Sequence, residues 1–101
     1  MTSPEPGTWD VATPVWQDGN WIFLTIPEDV SDAIAEITEG HAGGFGSVKV
    51  EVTCGATTWQ TSLFPSNGLQ AYVLPLKKAV RAAEGLDIGD TAHVHLRLID
   101  R

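Results

Sequence analysis

The chain has 101 residues, 43% of them hydrophobic, a length and composition that suit one domain with one core. Thirteen acidic residues against six basic ones leave a net charge of −7, which repels phosphate backbones and anionic lipids, so neither nucleic acid nor a membrane is expected as a partner. No apolar run approaches a bilayer span, Met1–Thr8 lacks the basic start and apolar stretch of a secretory signal, and the single Cys54 permits no internal disulfide, so the cytoplasm is the expected location.

Residues 1–8 read as a disordered lead and 9–101 as a single domain. Trp9–Trp16 is rich in strand formers, but Pro14 has no N–H to give a ladder, so an edge or irregular strand is expected. Asp18-Gly19 then signals a hairpin turn. With those residues at its tip, Gln17 faces Asn20 and Trp16 faces Trp21 across a close, non-hydrogen-bonded pair. Trp21–Ile26 is apolar on both faces and asks for cover on both sides, or for a barrel strand with something packed outside. Pro27 opens a helix that runs to Glu39. Proline suits its first position, and Glu28 and Asp29 suit the positive end of its dipole. Val30, Ile34 and Ile37, with Ala33, form one narrow apolar stripe, and Gly40 ends the helix.

Ala42–Gly46 reads as a flexible loop. Ser47–Cys54 alternates cleanly, with Val48, Val50, Val52 and Cys54 on one face and Lys49, Glu51 and Thr53 on the other. Gly55-Ala56 turns the chain into Thr57–Phe64, where Trp59, Thr61 and Leu63 share a face. Pro65 to Gly68 turns it again into Leu69–Leu74. Pro75 opens a second helix to about Glu84, lined by Leu76, Ala79, Val80 and Ala83 and closed by Gly85. In the last strand Ala92, Val94, Leu96 and Leu98 face in, while His93, His95 and Arg97 face out. The fold class is mainly β: a small closed or nearly closed barrel of about six strands, with two short helices that plug or flank its ends.

Several of these segments carry a family likeness. They are Trp21-Ile22-Phe23 leading into Ile26-Pro27, Gly44-Phe45-Gly46 before the valine-rich strand, and Trp59 to Pro65 (WQTSLFP). Tyr72 to Lys77 (YVLPLK), Val80-Arg81, Gly85-Leu86 and Gly89-Asp90 complete the set. On them the chain resembles the bacterial domain-of-unknown-function family numbered nineteen hundred and five, over about nine-tenths of its length. That family occurs alone or fused to a YdeI-like, OmpD-associated helical domain. The resemblance implies a small β-barrel with helices outside or capping, and no established activity. The chain stops after its last strand, so the stand-alone form is expected and nothing of the fused domain is carried over.

The chemistry-bearing residues are sparse. Lys77, Lys78 and Arg81 place half of the six basic residues within five positions. A pair one turn apart near a helix start suits a carboxylate or phosphate. The plainer reading is an amphipathic helix whose long stems cover apolar surface, with Arg81 paired to Glu84. Thr61, Ser62 and Tyr72 offer hydroxyls on adjacent strands, with Ser62 and Tyr72 expected on the face opposite Trp59. With Arg81 they would orient a polar ligand in a barrel mouth, though threonine and tyrosine are also ordinary strand residues. No histidine or acid is spaced to activate Ser62 for hydrolysis. His93 and His95 have a metal-ligand spacing, but His41 is distant and Arg97 opposes a cation, so a solvated strand face is the better account. Cys54 reads as a small core residue with no base beside it. The four tryptophans suit either core packing or stacking of a planar ligand. Glu28, Asp29, Asp32, Glu36 and Glu39 read as a solvated helix face.

The expected function is a non-enzymatic barrel module for a small anionic or planar ligand, bound by Lys77, Arg81, Tyr72, Thr61, Ser62 and Trp59, with no cofactor and no metal. Two alternatives stand beside it. One is a small enzyme using Tyr72 or Lys77 as acid or base for proton-transfer or cyclisation chemistry. The other is a structural homodimer joined through an edge strand. Monomer and homodimer both remain open.

Overall fold

The computed structural model describes residues 7–38, 46–66, 68 and 71–99. The elements are β1 (Thr8–Asp18), β2 (Trp21–Thr25), α1 (Glu28–Thr38), β3 (Val48–Cys54), β4 (Thr57–Ser66), β5 (Ala71–Pro75), α2 (Lys78–Glu84) and β6 (Thr91–Leu98). The six strands form a closed barrel in the order β1-β2-β5-β4-β3-β6, every pair antiparallel. β3, β4 and β5 are successive neighbours. β6 returns past α2 to lie beside β3, which is a Greek-key arrangement.

Two strands change partner along their length. β1 pairs with β6 from Thr8 to Pro14 and with β2 from Val15 to Asp18. β4 pairs with β3 up to Leu63 and with β5 from Phe64. Pro14 therefore lies in a stretch of β1 paired with β6 alone, in keeping with the irregular strand expected there. It falls where β1 leaves one partner for the next, so its missing N–H interrupts neither ladder. The gap beside it is bridged by the buried Thr13 hydroxyl, which donates to the Thr25 carbonyl at 2.9 Å. Each strand has two neighbours in the closed order, though Thr8–Pro14 of β1 pairs with β6 alone and Thr57–Leu63 of β4 with β3 alone.

Alternation fills the interior. Val11, Val15, Leu24, Val50, Val52, Leu63, Leu74, Val94 and Leu96 meet in one cluster. Leu24, Val50, Val52, Leu63, Leu74 and Leu96 are fully buried there. Each fully buried valine or leucine contributes about 1.5–3 kcal/mol relative to exposure. The inward faces expected for β3 and β6 are those observed.

The helices close opposite ends. α1 follows the end of β2 and rests on β5; α2 begins beyond the far end of β5 and rests on β4. Ile34 from α1 and Val80 from α2 enter the core cluster. Ile37 does not join it: it is exposed, and the α1 stripe is shorter than expected. Glu39 and the 42–45 part of the expected loop lie outside the described residues, as do residues 1–6, 69 and 70. β1 begins at Thr8, inside the expected lead. Among the described residues no helix is long and apolar enough to cross a membrane.

Two local readings are corrected. The hairpin tip is Gly19-Asn20, with Gly19 at φ 60°, so Asp18 faces Trp21 and Trp16 faces Phe23. Moving the tip by one residue moves every partner by two, which leaves each side chain on its own face. Trp16 packs on Phe23 at 5.1 Å, and Phe23 lies nearly parallel to Trp21 at 6.0 Å. The second helix starts at Lys78, not Pro75. Pro75 completes β5, and the Leu76 N–H donates to the Ile22 carbonyl at 2.8 Å, so strand pairing continues where a proline-initiated helix was expected.

Candidate functional site

Recesses open on the outer wall and near the two helices. The wall over β1, β6, β3 and β4 is polar. His95 faces Asp10 across the ladder, with Nδ1 2.8 Å from the carboxylate, and Arg97 faces Glu51, with Nη2 at 3.2 Å. His93 stands opposite Ala12. The two histidines share a face, but His95 is engaged by Asp10. No group of three metal-ligating side chains occurs among the described residues, and His41 lies outside them.

The six residues expected to form a ligand site are not gathered in one place. Tyr72 is paired with Pro65, so it lies on the face of Leu63 and Trp59 and packs against the core. Ser62 faces the other way, opposite Lys49. The expectation that Ser62 and Tyr72 share a face is thus corrected by the β4–β5 register. Tyr72 opens β5 while Lys77 follows its end. Five residues of extended chain separate them by roughly 16 Å, at opposite ends of the barrel. Trp59 is half-buried opposite Val52.

Lys77 is the exposed N-cap of α2, with no side-chain cap. Arg81 lies in the last turn of that helix and shares a recess of about 280 Å³ with Lys78, Ala82, Gly85, Leu86 and Asp87. Its Nε is buried with no hydrogen-bond partner among the described residues, as is Nε1 of Trp59. Arg81 and Glu84 form no ion pair; the Glu84 carboxylate instead accepts from the Thr57 hydroxyl at 2.6 Å.

Further recesses lie elsewhere. One of about 400 Å³ is lined by Ser31, Asp32, Ala35, Pro65, Ser66, Ala71 and Tyr72. A larger one, about 440 Å³, opens on the outer wall between Lys49, Gln60, Thr61, Ser62 and Ile99. Lys49 and Ser62 are direct cross-strand partners. Among the described residues no carboxylate lines this recess, and the neighbouring Glu51 is engaged by Arg97. Lys49 makes no ion pair among the described residues. Sequence reasoning placed Lys49 outward but did not single it out. Its pairing with Ser62 depends on the β3–β4 register, which alternation within one strand does not reveal.

Groups suited to covalent chemistry are poorly placed. Cys54 is buried, and desolvation, aided by the nearby Glu84 carboxylate, pushes its thiol up. A raised pKa makes a poor nucleophile. Ser62 has no hydrogen bond to a histidine or a carboxylate among the described residues.

The search of curated proteins gives no match. Residues 11–96 match the family model described as Domain of unknown function (DUF1905). That span runs from the first strand of the barrel to the last, and the chain belongs to this family.

Proposed function

We propose that this protein is a non-catalytic β-barrel binding module that holds a small anion, a carboxylate or phosphate, on its outer wall. The observation that carries the reading is the recess at Lys49, Gln60 and Ser62: a cation with no ion pair among the described residues, beside an amide and a hydroxyl on the same outward face, on a chain of net charge −7. Ammonium, amide and hydroxyl donors together complement a small oxyanion. The recess at Lys78 and Arg81 is the weaker candidate. It contains Asp87 and lies at the C-terminal end of α2, where the helix dipole disfavours negative charge. A cytoplasmic setting suits the single buried thiol, which a reducing compartment leaves unpaired.

The test is thermal unfolding with inorganic phosphate and a panel of small carboxylates. A ligand at about ten times its Kd stabilises by about 1.4 kcal/mol, several degrees in midpoint for a chain of this size. Lys49→Ala should keep the unliganded midpoint, because Lys49 is exposed, and lose the ligand-induced rise. If no anion moves the wild-type midpoint, or Lys49→Ala responds as the wild type does, the reading is wrong.

A further inference from the structure

The two outer walls of the barrel differ in kind. On the half built from β1, β2, β5 and β4, the register puts Trp16, Phe23 and Pro75 side by side in one row, and Thr25, Val73 and Phe64 in the next. Neither row contains a charge; the row beyond them, at the hairpin tip, pairs Trp21 with the exposed Asp18. Trp21 is 63% exposed and Phe64 45% exposed. Val73 is buried yet stands outside the core cluster, so it is covered by its neighbours on the outside. An apolar wall of four strands, about 4.8 Å apart, covers less than the roughly 800 Å² per partner that a stable complex buries. Whatever seats on it must also touch its flanks.

The flanks carry opposite charge. Along the central β2–β5 pair, α1 lies at one end and the start of α2 at the other. α1 carries the acidic Glu28, Asp29, Asp32 and Glu36; the start of α2 carries Lys77 and Lys78, both exposed. A two-fold axis normal to the wall exchanges the two ends, setting the acidic helix of one copy against the lysines of the other, twice. A surface with an apolar centre and oppositely charged ends is complementary to itself in that orientation.

We propose that the protein forms a two-fold homodimer through this wall, sheet on sheet, with Phe23 and Val73 near the centre and the exposed Trp21 and Phe64 toward its two ends. The dimer is independent of the anion recess, which lies on the other half of the barrel. Sedimentation velocity over about a hundredfold range of concentration, up to about 0.2 mM, tests it. The wild type should pass from monomer to dimer. Trp21→Ser and Phe64→Ser, both at exposed positions, should keep the far-UV spectrum and thermal midpoint and weaken association by about tenfold or more. Reversing charge with Lys77→Glu and Lys78→Glu should weaken the dimer, and adding Asp32→Lys and Glu36→Lys to the same chain should restore it. A wild type that stays monomeric throughout overturns the proposal and assigns the wall to a different partner. A dimer unmoved by the aromatic substitutions overturns the interface, and one that the second reversal fails to rescue overturns the two-fold orientation.

Discussion

Cys54 ends β3 with its thiol inside the barrel, close to the Glu84 carboxylate of α2. Desolvation is the larger cause of its raised pKa and Glu84 the smaller, both disfavouring the thiolate. Between the unfolded and folded values the native state keeps a proton that the unfolded chain has lost. Stability is therefore untouched below the unfolded value and falls as pH rises past it. In urea titrations the wild-type midpoint should decline as pH is raised above about 9, and the decline should be shallower in Cys54→Val. Parallel pH profiles for the two proteins would show that the thiol carries no such coupling. The inward position of this residue was readable from alternation with three valines. The part played by Glu84 was not, because it rests on contact with a helix thirty residues further along the chain.

At the scale of elements, α1 is fastened by one buried hydroxyl. Ser31 donates to the Ile26 carbonyl at 3.0 Å and accepts from the Tyr72 N–H at 3.1 Å. It thus joins the helix to the end of β2 and to the start of β5. Ser31→Ala removes a partner from both backbone groups at once, and a buried group left unpaired costs about 1–3 kcal/mol. Urea unfolding should show a loss in that range, while Asp32→Ala, one residue on and exposed, should stay within about 0.5 kcal/mol of wild type. An equal response would place the anchor elsewhere. Nothing in the local pattern pointed to Ser31, since a serine in the first turns of a helix is unremarkable and its partner is 41 residues away. Pro75 misled for a related reason. Proline suits the first position of a helix, yet the ladder with β2 held the chain extended through Leu76. That difference matters for the site, because extended chain advances about 3.3 Å per residue against 1.5 Å in a helix. Residues that look clustered between Tyr72 and Lys77 are consequently drawn apart.

For the molecule as a whole, strand number, the two helices and the inward faces of β3 and β6 followed from periodicity, which each strand displays by itself. Closure, the Greek-key order and the sorting of the outer walls into polar and apolar halves depend on which strands become neighbours, and so appear only in the folded protein. One such neighbour relation reaches further. Thr8 lies directly across from Arg97, and the Leu98 N–H donates to the Gly7 carbonyl at 2.8 Å. First and last strands are thus zipped together, and a short glycine-serine bridge from Ile99 to Gly7 would turn the barrel into a ring. New ends can be cut at Gly19-Asn20, where a side chain at Gly19 would meet nothing. Such a circular permutant, carrying residues 7–99 in rotated order, should retain the wild-type far-UV spectrum and unfold in a single cooperative transition. An unfolded product would mean that the β1–β2 hairpin has to be covalently intact for the remaining strands to assemble; a folded one would make every exposed turn a usable site for inserting a second protein.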